Sequence, residues 1–180
     1  MRLLIATDAW HPQVNGVVRT YERLVAELPA LGVEAALITP GEFASVPCPT
    51  YPEIRLALPG FARVRRRFQE HAPVAVHIAT EGPVGWMVRA YCKARRLPFT
   101  TSFHTRFPDY VESRFHLPAS AVWRIERHFH DAGAGVMAAT RSLADELSAR
   151  GFRRILPWTR AAATDLFKPR PVRLFGDGPV

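Results

Sequence analysis

Apolar positions along the chain follow two alternating rhythms. Residues 3–6 form an unbroken apolar run and read as a strand buried on both faces, and the stretches 33–39, 74–79, 99–103, 135–139 and 153–158 read as further strands. Between them the apolar residues recur at helical spacing. Val18, Tyr21, Leu24, Val25 and Leu28 make one stripe over residues 17–31, which Pro29 and Gly32 end. Further helices are predicted over 61–70, 83–96 and 142–150, and two more between 108 and 131, broken near Leu117-Pro118. Residues 41–59 hold Pro47, Pro49, Pro52 and Pro59 and read as an irregular surface segment around one short strand, 54–58. Strand–helix–strand repetition predicts an α/β, Rossmann-like, doubly wound and mostly parallel sheet with helices on both faces.

The rhythm stops after Phe167. Lys168-Pro169-Arg170-Pro171 and Gly176-Asp177-Gly178-Pro179 have linker chemistry. The expected organisation is therefore a domain over 1–167 and a linker over 168–180. A linker at the end of the chain leads us to expect a second domain that these residues do not include.

Charge narrows the partners. The 180 residues carry 24 Lys+Arg against 16 Asp+Glu, a net charge of +8. That excess favours anions: phosphorylated small molecules or anionic lipid. No nucleic-acid motif accompanies it, so nucleic acid is set aside. Cys48 and Cys92 lie in no metal or C-x-x-C spacing and read as free thiols of a reducing compartment. With no leader-like start and no bilayer-length apolar run, the expected location is cytoplasmic, peripheral at the inner face of the membrane.

Chemistry concentrates at strand ends, where ligands bind in open α/β sheets. The loop after the first strand holds Asp8, Asn15 and Gly16 ahead of a helix. A helix N-terminus with a glycine offers N–H groups and positive dipole to an anion, although a plain Asn-Gly bend would look the same. The spacing is not G-x-G-x-x-G. After a central strand comes His104, with Thr105, Arg106 and Tyr110 close behind. Its imidazole suits a sugar hydroxyl or a phosphate oxygen, or a purely structural hydrogen bond. In Thr80-Glu81-Gly82-Pro83, Glu81 suits either an acceptor hydroxyl or the cap of the next helix. Arg63, Arg65, Arg66 and Arg67 surround Phe61, Val64 and Phe68, as on a membrane-surface helix or on a packed helix with a basic outer face. Glu126, His128, His130 and Asp131 do not read as a metal site, because histidines two apart diverge on a helix.

These motifs together resemble the retaining glycosyltransferases of family 4. The resemblance rests on Leu3–Asp8 with Pro12–Thr20, on His77–Gly85 and on Ser102–Tyr110, and it leans towards the GDP-mannose-dependent α-mannosyltransferase and glycolipid synthase branch. It implies the N-terminal, acceptor-side half of a GT-B fold. Its substrates would be a GDP- or UDP-linked sugar and a lipid, polyprenyl or glycan acceptor, with no catalytic metal and no cofactor. By the same resemblance Gly16, Asn15 and Arg106 would meet the donor diphosphate and His104 the transferred sugar. Asp8, Glu81, Thr105 and Tyr110 would line the acceptor side. The donor-binding domain would come from a separate chain or be lost in a truncated or degenerate copy, so residues 1–180 alone would turn over little; the alternative is a non-catalytic membrane- or partner-binding module derived from such an enzyme. The family's Arg-Gly-Val-Asp is replaced here by Arg160-Ala161-Ala162-Ala163.

Overall fold

The computed structural model describes residues 1–48, 55–104, 118–159 and 168–169. Thr105, Arg106, Tyr110, the Arg160–Ala163 stretch and most of the expected linker lie outside the described residues. The main sheet has six parallel strands. They are β1 (Arg2–Ala6), β2 (Glu34–Ile38), β5 (Ala75–Ile78), β6 (Thr100–Phe103), β7 (Gly135–Ala138) and β8 (Ile155–Pro157), in the order β2-β1-β5-β6-β7-β8. A second, antiparallel pair joins β3 (Ser45–Pro47) to β4 (Arg55–Ala57).

Each strand of the centre feeds both layers. In β1, Leu4 and Ala6 join Val64 and Phe68 of α2 (Phe61–His71) and Val84, Val88 and Tyr91 of α3 (Pro83–Arg95). Ile5 and Leu3 turn to the other side, onto Tyr21, Leu24 and Val25 of α1 (Gly16–Glu27). A third cluster packs Phe103, Val136 and Ala138 against Trp123 of α4 (Ala119–His130) and Leu147 of α5 (Arg141–Ala149). Burial on both faces is why β1 and β7 are apolar runs, whereas β5 and β6 also bury His77, Thr101 and Ser102.

Two departures from the sequence reading are local. The expected helix over 17–31 is α1 followed by a 3-10 turn, Leu28–Leu31, closed by Gly32 at φ 69°. Pro29 has no N–H to continue the α ladder, and glycine takes the left-handed closure at little steric cost. The segment over 41–59 contains two paired strands rather than one. Arg55 donates from Nη2 to the Ser45 carbonyl at 2.6 Å and from Nε to Ser45 Oγ at 3.1 Å.

The strand order fixes where a ligand has room. From β1 the chain runs outward to β2 and then returns to β5 on the other side of β1. Connections therefore leave in opposite directions above the carboxyl ends of β1 and β5, and a crevice opens there. The loops after β1 and β5 and the end of β6 border it.

Candidate active-site crevice

The β1 loop is tied to the β5 loop by Asp8. Its N–H donates to Thr80 Oγ1 at 2.7 Å, and the Thr80 hydroxyl donates back to Oδ2 at 3.0 Å. Val84 N–H donates to Oδ1 at 2.8 Å and Gly85 N–H to Oδ2 at 3.1 Å, so Asp8 caps α3 from a distant part of the chain. A Cβ at Gly82 would collide with the Asp8 carboxylate, and one at Gly85 with the Thr80 carbonyl. Burial pushes the Asp8 carboxyl above its ordinary range, and the N–H groups of Val84 and Gly85 oppose that rise. The cap expected of Glu81 thus belongs to Asp8, and both carboxylate oxygens of Asp8 are engaged within the protein.

Asn15 caps α1. Its Oδ1 accepts from the N–H groups of Val17 and Val18, both at 3.0 Å, and its Nδ2 donates to Gln13 Oε1 at 3.3 Å. Gly16, the first residue of the helix, is exposed, and a Cβ built on it meets nothing within 4 Å. The glycine is not required by the surrounding protein. Its backbone edge is open to an approaching group.

Behind this loop stands a buried network that positions His104. Tyr21, one and a half turns into α1, is fully buried. Its hydroxyl lies 2.7 Å from His77 Nε2, 3.2 Å from Ser102 Oγ and 3.2 Å from His104 Nε2. His77, in β5, also meets Ser102 Oγ at 2.9 Å and, through Nδ1, Thr100 Oγ1 at 2.8 Å. Burial, helped by the neighbouring His104, lowers the His77 pKa to about 3, so this ring is neutral at physiological pH. Trp158, just after β8, closes the group: its ring centroid lies 5.8 Å from Tyr21, 6.1 Å from His77 and 5.6 Å from His104. His104 at the end of β6 is thereby held between a tyrosine and a tryptophan at the mouth of the crevice. Sequence reasoning missed Tyr21, His77, Ser102 and Trp158. Tyr21 reads as part of an apolar helix stripe and His77 as an interruption in an apolar strand.

Two expected groups are placed differently. The Glu81 side chain is only 7% exposed and faces α4, with Oε1 3.1 Å from His130 Nε2, so it is not presented on the crevice surface. In α2, Val64 and Phe68 are core residues and Phe61, 43% exposed, packs on Tyr91, so most of the apolar side of the helix is turned into the protein. Arg67 is a structural group: Nη2 donates to the Leu37 carbonyl at 2.8 Å and Nε pairs with Glu42 at 3.0 Å. Arg66 pairs with Glu70, and Arg63 lies 3.7 Å from Glu42. The outward cations of α2 are Arg63, Arg65 and Arg66. No described helix is long and apolar enough to cross a membrane.

The chain is 26% identical over 189 residues to a GDP-mannose-dependent alpha-mannosyltransferase of Mycobacterium tuberculosis, a match covering 94% of this chain and 50% of that protein. It is 32% identical over 125 residues to an alpha-monoglucosyldiacylglycerol synthase of Acholeplasma laidlawii, covering 62% of this chain and 31% of that protein. A synthase of the same name from Streptococcus pneumoniae is 22% identical over 176 residues, covering 87% of this chain and 40% of that protein. The chain spans about half the length, or less, of the curated relatives it matches. Residues 14–158, from the start of α1 to the tryptophan that packs on His104, match the profile of Glycosyltransferase Family 4, and the chain belongs to that family.

Proposed function

We propose that residues 1–167 are the acceptor-side domain of a hexosyltransferase of GT-B type. It would move a hexose such as mannose from a GDP- or UDP-sugar, with retention, onto a lipid, polyprenyl or glycan acceptor. The observation that carries this reading is the placement of His104. It stands at the carboxyl end of β6, fastened by Tyr21 and Trp158, on the same side of the sheet as the open backbone of Gly16. A hydrogen-bonding imidazole beside a helix N-terminus suits a sugar joined to a diphosphate. In this reading His104 contacts the transferred sugar, and the exposed Gly16 backbone at the α1 N-terminus, with the helix dipole and Arg106, steadies the leaving diphosphate. Thr105 and Tyr110 line the acceptor side.

Gly16→Ala is the decisive variant, because a methyl group there disturbs nothing inside the protein. Titration calorimetry of residues 1–180 with GDP-mannose and UDP-glucose should detect weak binding that Gly16→Ala reduces at least tenfold. Its unfolding midpoint should stay level or rise slightly, since alanine is the better helix former by about 1 kcal/mol. Equal affinity in both proteins would remove the diphosphate assignment. One wall of a cleft does not assemble a reaction site, so residues 1–180 alone should transfer no hexose from a panel of GDP- and UDP-sugars. Measurable transfer would overturn that expectation.

A second reading is favoured by α2. Arg63, Arg65 and Arg66 project outward from a helix whose apolar side is already in the core. They suit electrostatic docking on an anionic membrane surface, with no insertion.

A further inference from the structure

Beneath the crevice three ionisable side chains converge. Glu81 comes from the β5–α3 loop, and Glu126 and His130 lie one turn apart on the same face of α4. Their side chains are 7%, 7% and 0% exposed. His130 Nε2 lies 3.1 Å from Glu81 Oε1 and 3.5 Å from Glu126 Oε2, and one ligand atom from each residue falls within 4.8 Å of the other two. Among the described residues none of these three atoms has a hydrogen bond of acceptable geometry. The rings of Phe103, Phe129 and Phe152 enclose the imidazole.

The other ring nitrogen shows what the cluster lacks. His130 Nδ1 lies 2.8 Å from Thr101 Oγ1, and that hydroxyl faces the Gly135 carbonyl at 3.5 Å. A hydroxyl that donates to the carbonyl accepts from Nδ1–H. In the neutral ring this turns the Nε2 lone pair towards two carboxylates, an arrangement that a shared proton or a metal ion among the three groups would relieve. We propose that Glu81, Glu126 and His130 form a buried structural site for a divalent transition-metal ion of the zinc class, clamping the loop after β5 onto α4.

Three observations support the assignment. Ligands about 2.0–2.1 Å from a tetrahedral ion stand roughly 3.3 Å from one another, and the 3.1 and 3.5 Å separations straddle that spacing. Two carboxylates balance a divalent charge in a site closed to solvent. Metal-bound histidines usually have the far ring nitrogen fixed by a hydrogen bond, a part that the Thr101 hydroxyl can play here, and an imidazole in the set suits zinc better than magnesium. His128, stacked on Trp86, and Asp131, which accepts from Arg153 N–H at 2.9 Å, take no part. The divergence of neighbouring histidines is real, but the ligand set skips His128 and recruits Glu81 from another element.

Because the cluster is closed, the test supplies the ion during refolding. Untagged chain refolded with Co2+ or Zn2+ should retain about one ion per chain after gel filtration. Co2+ should show ligand-field bands of a four- or five-coordinate site, and chelation during refolding should lower the thermal midpoint. Glu126→Gln should weaken retention at least tenfold. Thr101→Val, which keeps all three ligands, should weaken it about 10- to 100-fold. A folded chain that retains no ion would overturn the proposal, as would Co2+ binding unchanged in both variants. A midpoint that follows pH but is indifferent to metal would also overturn it, leaving a proton to hold the three groups together.

Discussion

Tyr21 sets its hydroxyl among His77, Ser102 and His104, so one atom links the buried layer to the crevice. Tyr21→Phe keeps the ring packing and removes that atom. A buried donor or acceptor left without its partner costs about 1–3 kcal/mol. Urea denaturation should show a loss of that size, and an unchanged midpoint would mean that the Tyr21 hydroxyl contributes nothing to holding the network together. His77 makes a second prediction, for pH. Its folded pKa of about 3 lies below the ordinary 6.5, so between these values the unfolded chain binds a proton that the folded chain refuses. The stability tied to His77 is complete above pH 6.5 and is lost as pH falls towards 3. Between pH 7.5 and 5.5 the wild-type chain should lose about 1.4 kcal/mol more than His77→Gln. Equal losses in urea titrations at the two pH values would contradict a buried neutral ring.

At the scale of elements, α3 depends on a cap that local sequence does not reveal. Asp8→Ala removes the acceptor for Val84 and Gly85 and should cost about 1–2 kcal/mol of stability. Asp8→Asn should cost less, because burial already disfavours the charge and an amide oxygen still accepts. Equal destabilisation by both substitutions would show that the charge itself is needed. Helix α2 separates structural from surface arginines in the same way. Arg67→Ala breaks a bond to the Leu37 carbonyl and an ion pair with Glu42, worth together about 1–2 kcal/mol; Arg65→Ala should stay within about 0.5 kcal/mol. The elements themselves were legible, because strands buried on both faces and helices with one apolar stripe carry distinct periods. β3 was not, since Ser45-Val46-Pro47 is three residues long and sits among prolines. The crevice was half legible. Glycine and histidine at strand ends stand out, whereas Tyr21 and His77 sit inside apolar patterns and Asp8 acts across two elements that only the sheet order brings together.

For the molecule as a whole, the question is where the +8 charge goes. Part of it is spent internally: Arg67 on Leu37 and Glu42, and Arg89 on the carbonyls of His128 and Phe129 at 2.7 and 3.1 Å. The exposed cations include Arg63, Arg65 and Arg66 on α2, Lys93, Arg124 and Arg127 around a pocket between α3 and α4, and others scattered over the surface such as Arg19, Arg95 and Arg141. Arg63 and Arg66 lie near each other on the exposed side of α2 and Arg65 stands about 100° round the helix from Arg66, so a flat anionic surface meets two of the three closely. Each arginine near such a surface contributes about 1 kcal/mol. Replacing Arg63, Arg65 and Arg66 by alanine should therefore reduce flotation with phosphatidylserine-containing vesicles by at least tenfold. Arg124→Ala should change it little. Because these cations sit in water and insert nothing, binding should fade as salt is raised and the screening length drops to about 3 Å near 1 M. Wild-type binding that survives high salt, or that is equal on neutral vesicles, would rule out electrostatic docking through α2 and return its arginines to a role in solubility.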